Sequence, residues 1–254
     1  MLPKILMPIK EYSLIRVGKN FDGGYLIGKK SIENSDVLLT FGVGDDCSFE
    51  RNFLKINPKA RIFLYDNTVK NFWIKKLKRS CYKIFRLNPE ILKFIFELVF
   101  FVAFFFKNNV CLYKKKIVSK KEEVNNSNIS ISEIMSNLKK YKTFFLKIDI
   151  EGNEYYILND ILRFKKKIKT LIIEFHSVHI NLTKIKKFVK KLNLTLTHIH
   201  PNNHLSVINT IPQAIECTFE YRPKIIGNKK SLPNRLDQNC DKTKNEIFLT
   251  FKNV

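Results

Sequence analysis

Cysteine is scarce in this sequence and poorly spaced for cross-linking. The five (Cys47, Cys81, Cys111, Cys217 and Cys240) lie far apart, in odd number and without a C-x-x-C pair. That excludes a disulfide framework or an all-cysteine zinc site and suits a reducing cytosol. Long apolar runs are also missing. From Phe94 to Phe106 only Glu97 interrupts the apolar residues, and a membrane span needs about 20 of them. The N-terminus, Met1 to Lys10, has prolines and a lysine where a signal peptide needs an unbroken apolar core. No internal repeat and no low-complexity linker divides the chain. Its 254 residues therefore read as one domain, with an N-terminal hairpin extension over 1–30 and a Lys/Phe-rich helical insertion over 73–109. Acidic residues are few, 23 against 46 basic, which leaves a net charge of +23. A basic surface of that kind suits nucleic acid, a phosphorylated glycan or a membrane face. Because lysine dominates and Asn, Ile and Phe are also abundant, the plainer reading is compositional drift with solvated lysines.

What is present reads as an open α/β sheet. Leu14–Val17 and Tyr25–Ile27 flank Asp22-Gly23-Gly24, a hairpin turn signal. Apolar runs at Val37–Phe41, Arg61–Tyr65, Val110–Val118, Phe144–Ile148, Thr170–Phe175, Leu194–Ile199, Ala214–Phe219 and Glu246–Phe251 are expected strands. Expected helices are Ser48–Ile56 with Ser48 as N-cap, the insertion Trp73–Phe106, Ser130–Leu138, a segment after Gly152, and the basic amphipathic Thr183–Leu192. Glu122–Asn128 reads as a polar loop. The Phe94–Phe106 run is the element expected to pack inside the insertion, or to dock on a second subunit or a membrane interface.

Two strand ends carry chemistry. Gly42 and Gly44 follow an apolar strand and precede a helix, where glycine permits close backbone approach to a ligand and the helix N-terminus adds about half a positive charge. Asp66 ends the next strand about 20 residues on, the place where nucleotide-binding folds put an acid for ribose hydroxyls. Together they favour an adenosine-bearing cofactor. In Phe144-Phe-Leu-Lys-Ile-Asp149-Ile-Glu151-Gly152 a second strand delivers two carboxylates into a glycine turn. All five histidines lie between His176 and His204. Glu174 and His176 are two apart, so they project to one side of a strand, as do His198 and His200. General-base catalysis by His or a carboxylate ranks first for this group, structural roles second. A divalent metal on Asp149, Glu174 and His176 ranks third.

These residues converge on a family. Phe41-Gly-Val-Gly-Asp45, Asp66, and above all Leu146-Lys-Ile-Asp149-Ile-Glu151-Gly-Asn-Glu154 resemble the FkbM-type methyltransferases. Further matches are Arg16-Val-Gly18, Asp22-Gly-Gly-Tyr25, Ile131-Ser-Glu-Ile134, Glu174-Phe-His176, His200-Pro-Asn-Asn203 and Pro212-Gln-Ala-Ile-Glu216. The resemblance covers roughly residues 13–251, apart from the insertion. Many members carry a glutamate-proline pair at the end of the second strand where this chain has Asp66-Asn67. The resemblance implies a Rossmann-like class I methyltransferase fold, a mostly parallel seven-stranded sheet with helices on both faces. It also implies S-adenosylmethionine held by Gly42, Gly44, Asp45, Asp66 and Asp149. O-methylation of a sugar or small-molecule hydroxyl would follow, with Asp149, Glu151 or His176 as base and Glu174, His198, His200 and Asn203 toward the acceptor. Nucleic acid is not the expected partner, since neither a base-methylation Asn/Asp-Pro-Pro-aromatic block nor an RNA-binding aromatic-glycine motif is present. A non-catalytic adaptor on the same fold is disfavoured by the intact Gly42, Gly44, Asp66 and Asp149. The expected location is the cytoplasm, or its membrane face if the Phe94–Phe106 run docks there.

Overall fold

A computed structural model describes residues 1–44, 46–68, 99, 101–119, 124–228 and 232–253. Seven strands form the central sheet, numbered here in chain order: β1 (Val37–Phe41), β2 (Arg61–Tyr65), β3 (Val110–Tyr113), β4 (Phe144–Ile148), β5 (Ile168–Phe175), β6 (Thr195–Pro201) and β7 (Ile215–Glu220). Their spatial order is β3-β2-β1-β4-β5-β7-β6. Every neighbouring pair is parallel except those that β7 makes, antiparallel, with β5 and β6. This is the strand order of the class I methyltransferase fold, as expected from the sequence.

The middle strands read as unbroken apolar runs because both faces of the sheet are covered. Val37, Leu39 and Phe41 of β1 and Phe144, Leu146 and Ile148 of β4 enter one core cluster. Leu38 and Phe145 enter the other. Helices α2 (Ile131–Asn137), α3 (Glu154–Arg163) and α4 (Val178–Leu192) pack on the first face, and α1 (Ser48–Ile56) on the second. Each fully buried Phe, such as Phe49, Phe53 and Phe145 in the second cluster, contributes about 1.5–3 kcal/mol by leaving water. Phe101 and Phe104 from the end of the insertion are buried in that cluster as well. Residues 73–98 and 100 of the expected insertion lie outside the described residues. The hairpin is present as Ile15–Gly18 paired antiparallel with Gly24–Ile27. No helix among the described residues is long and apolar enough to cross a membrane.

Three local expectations need correction. The strand expected over Val110–Val118 splits in two. β2 ends at Tyr65, opposite Tyr113, so pairing runs out there; after exposed Lys114 and half-buried Lys115, Lys116–Val118 pairs instead with Asn128–Ser130. The last strand, expected over Glu246–Phe251, shrinks to Phe251–Lys252, paired with Leu2–Pro3. Ser48 is the first residue of α1 rather than its cap. The Asp46 carboxylate accepts from Ser48 N at 3.0 Å and from Ser48 Oγ at 2.7 Å, and so satisfies that helix end. α2 is capped by Ser130, expected to open the helix, whose hydroxyl accepts from Glu133 N at 3.2 Å.

Candidate active site

The first element of the site is the loop after β1. Gly42 has φ +80°, and a Cβ there would lie 1.7 Å from the Asp149 carbonyl oxygen, so only glycine fits between the ends of β1 and β4. Gly44, at φ +58°, has no heavy atom within 4 Å of its would-be Cβ. One glycine is thus demanded by the protein's own backbone and the other faces open space. Asp66 fixes this loop: Oδ2 accepts from Val43 N at 2.8 Å and Gly44 N at 2.9 Å. Its Oδ1 accepts from the Thr68 N–H and hydroxyl, both at 2.6 Å. All four acceptor directions of this carboxylate are engaged, so the role visible here is to hold the glycine loop rather than to await a ribose. Asp45 lies outside the described residues.

The loop borders a cavity of about 550 Å³, within the range of small-molecule and cofactor sites. Gly42, Gly44, Tyr65, Asp66, Asp149, Glu151 and Asn153 line it, together with Tyr25, Phe49 and Lys147. Lys147 is a cation in the middle of an apolar strand. It is 3.6 Å from fully buried Glu50, which also accepts from Thr40 Oγ1 at 2.9 Å. Burial would lower its pKa, but Glu50, Asp149 and Asp46 outweigh that and raise it. Sequence reasoning quoted this lysine inside a motif and gave it no role. A charge amid Phe144-Phe-Leu-Lys-Ile148 was the signal, since a buried ammonium requires a partner.

The second element gathers the acidic and histidine residues. Asp149, Glu151, Glu174 and His176 do converge, as the sequence implied. His176 Nε2 lies 3.5 Å from Glu151, 3.6 Å from Glu174 and 4.0 Å from Asp149; Nδ1 lies 3.4 Å from Glu154. Only Asp149 and Glu151 of these reach the cavity; Glu174 and His176 stand behind them. Fully buried Glu154 accepts from the backbone N–H of His176 at 2.7 Å and of Gly152 at 2.9 Å, tying the turn after β4 to the end of β5. Its place in the signature was legible, its bracing role was not. Glu151 itself sits in the left-handed region at φ +53°, a conformation that costs a non-glycine residue about 1–2 kcal/mol.

Electrostatics separate the members of the cluster. Burial pushes Asp149 up to about 6, against the opposing pull of Lys147 and His176. Burial also raises Glu174 well above the carboxylate range, with Asp149 and Glu216 adding to it. Desolvation works to lower His176, but the hydrogen bond to Glu154 and the charges of Glu174, Glu154 and Asp149 win, raising it to about 9. Asp149 Oδ1 is buried without a hydrogen-bond partner. Asp149, Glu174 and His176 also offer one donor atom each within 4.8 Å of one another, so the cluster has the donors for a hard cation as well as for proton transfer.

His198, His200 and Asn203 are elsewhere. The two histidines do share a side of β6, with ring centroids 6.4 Å apart. Neither lines the cavity. His198 Nε2 lies 2.9 Å from Asp237 Oδ1, and His200 lies between Glu216 and Glu246. Asn203 donates to the carbonyls of Asp241, Lys244 and Asn245 and accepts from Asp241 N at 2.6 Å. Its polar atoms are spent on fastening the C-terminal segment, which corrects the acceptor-binding expectation for it. Asn202, its neighbour, is the one that reaches the cluster, donating to Glu174 at 2.8 Å.

The site's geometry suits a sulfonium nucleoside cofactor: a glycine loop with open space over Gly44, a carboxylate-braced turn, and a buried acid oxygen of Asp149 without a hydrogen-bond partner in the same cavity. Solved structures with a similar fold include a precorrin-6y C5,15-methyltransferase from Geobacter metallireducens, at 14% identity over 76% of this chain and 86% of that one, with a TM-score of 0.37. A fibrillarin pre-rRNA processing protein from Methanococcus jannaschii matches at 12% identity over 84% of each chain, TM-score 0.38. The mitomycin 7-O-methyltransferase MmcR matches at 9% identity over 76% of this chain and 52% of that one, TM-score 0.33. No curated protein matches the chain by sequence. The methyltransferase FkbM domain, by contrast, matches residues 78–219, more than half of the sequence and the part that holds β3 through β7 with Asp149, Glu174 and His176. The chain belongs to the FkbM methyltransferase family, whose methyl donor is S-adenosylmethionine.

Proposed function

We propose that the protein methylates a hydroxyl group of a sugar or related small acceptor, with Asp149 taking the hydroxyl proton. S-adenosylmethionine supplies a methyl group on a sulfonium, ready for in-line displacement. The chain's task is to hold donor and acceptor in line, which is worth up to about 7–11 kcal/mol, and to remove one proton. Gly42 lets the ends of β1 and β4 close together, Gly44 leaves open space for the cofactor, and Asp66 holds their loop in place.

The observation that carries the choice of base is Asp149 itself. It faces the cavity, it has a buried oxygen without a partner, and burial sets its pKa near 6, where it is ionised at neutral pH and still basic. His176, raised to about 9, keeps its proton at neutral pH and acts as the fixed cation that stabilises the carboxylates around it. Glu151, with a side chain 85% exposed, sits at the rim. Lys19, Asp22, Asp46 and Asn153 add hydroxyl-binding groups to the cavity wall, which favours a polyol acceptor. The test is transfer of labelled methyl from S-adenosylmethionine to a panel of glycosides and to RNA. Methyl ethers at sugar hydroxyl oxygens are expected. Label found only on RNA bases would refute the acceptor class.

A further inference from the structure

A second constellation lies at the other edge of the sheet, on β6, β7 and the irregular chain that follows. His200, Glu216 and Cys240 are all at least nine-tenths buried, and none lines the cavity. Each offers a donor atom within 4.8 Å of the others. His200 Nδ1 is 3.6 Å from Glu216 Oε2, and the Cys240 thiol donates to Glu216 Oε1 at 3.8 Å. An N–H···O hydrogen bond would bring the first pair to about 2.7–3.2 Å. Metal–ligand bonds of about 2.0–2.3 Å in a tetrahedron place neighbouring donors about 3.3–3.8 Å apart. The His200–Glu216 pair stands at the second spacing, and the thiol hydrogen bond of Cys240 is the contact a metal–sulfur bond would replace.

An independent observation concerns the far side of the imidazole. A metal-binding His characteristically gives its other N–H to a carboxylate, which fixes ring and tautomer. His200 Nε2 faces Glu246 Oε2 at 3.4 Å. The site also has structural work to do. Among the described residues between 232 and 250 there is no helix or strand, yet Asp237, Cys240 and Glu246 from this stretch meet β6 and β7. The absence of paired cysteines in the sequence excluded an all-cysteine site, and this mixed set of one nitrogen, one oxygen and one sulfur is not touched by that argument.

We infer that His200, Glu216 and Cys240 bind one divalent transition metal of the zinc class, with Glu246 orienting His200 and the ion stapling the C-terminal segment to the sheet. Against the opposing pull of burial, the carboxylates around His200 raise its pKa to about 12, so the ring carries both protons before binding. On binding, the Cys240 thiol and His200 Nδ1 each release one proton to solvent as their metal bonds form, and the proton on Nε2 stays toward Glu246. The donor set is softer than that of the Asp149 cluster, so the two sites differ in metal preference.

The test uses the full chain, stripped with a chelator and reloaded with zinc or cobalt(II). One zinc per chain and a thiolate-to-cobalt charge-transfer band in the near ultraviolet are expected. Cys240→Ser and His200→Gln should abolish the band, Glu246→Gln should weaken cobalt binding about 10–100-fold, and Asp149→Asn should leave the band intact. Absence of the band from wild-type protein, its persistence in Cys240→Ser, or its loss in Asp149→Asn would each overturn the assignment. Should Cys240→Ser fail to fold, the wild-type spectrum and the Glu246→Gln affinity decide alone.

Discussion

Adding one methyl group at Gly42 and at Gly44 should have opposite consequences. At Gly42 the new Cβ would stand 1.7 Å from the Asp149 carbonyl oxygen, whereas real Cβ contacts stay above 3.0 Å. The β1 loop and the end of β4 must therefore part by about 1.3 Å. Overpacking of that kind costs about 1–3 kcal/mol, and the left-handed backbone adds about 1–2 kcal/mol. Gly42→Ala should therefore lose about 2–5 kcal/mol of stability, a fall in Tm of roughly 4–20 °C for a chain this long. At Gly44 nothing lies within 4 Å, so Gly44→Ala bears only the left-handed cost of about 1–2 kcal/mol. Its methyl group, however, enters the cavity where the cofactor is expected, and the dissociation constant of S-adenosylmethionine should rise at least about tenfold, or ~1.4 kcal/mol. Scanning calorimetry and isothermal titration on both variants separate the effects. Wild-type cofactor affinity in Gly44→Ala, or equal destabilisation by the two substitutions, would refute the division of labour between these glycines.

Other consequences can be measured on the same protein. Turnover should rise with pH as Asp149 ionises near 6 and fall as His176 loses its proton near 9; His176→Asn should remove the falling limb. In stability the two groups act separately. Asp149, raised from 3.8 by burial, holds its proton more tightly in the folded state, so it weakens the fold progressively from about pH 4 to 6. His176, raised from 6.5 despite its burial, stabilises fully below pH 6.5, a contribution lost as pH passes 9. Lys147→Met leaves Glu50 as an uncompensated buried charge and should cost about 3–5 kcal/mol in denaturant unfolding, whereas Lys147→Met/Glu50→Leu should recover most of it. Asp66→Ala releases the Val43 and Gly44 amides and should weaken cofactor binding by about 1–3 kcal/mol. If the positive charge is mostly diffuse, with a local concentration on the insertion and the helix from Lys184 to Lys191, affinity for duplex nucleic acid should be weak and vanish near physiological salt; tight binding at that salt would reverse the choice of acceptor.

The strands that were legible are those whose own residues carry the signal. Val37–Phe41 and Phe144–Ile148 are buried on both faces and read as apolar runs, and Glu174 with His176 share a side because strands repeat every two residues. Where a strand stops is a property of its partner. Val110–Val118 breaks because β2 ends at Tyr65, and nothing within the segment itself says so. The same limit applies to partners. Lys147 signals a missing counter-charge but not that Glu50 on α1 supplies it. His198 and His200 were correctly placed on one side of a strand, yet their partners Asp237, Glu246 and Cys240 come from a stretch with no periodic pattern to locate it. The signature from Leu146 to Glu154 was legible because it concentrates the end of a buried strand, three acids and a glycine turn in nine positions.

The claim at the centre of this account is that Asp149 removes the acceptor's proton inside a cavity that the glycine loop prepares for S-adenosylmethionine. Its most direct test compares wild-type protein with Asp149→Asn by two readings, the calorimetric dissociation constant for S-adenosylmethionine and the turnover of methyl transfer to a hydroxyl acceptor. The account predicts nearly equal cofactor affinity and turnover lowered roughly 10²–10⁴-fold in the variant. Undiminished turnover in Asp149→Asn, or no binding of S-adenosylmethionine by the wild-type protein, would contradict it.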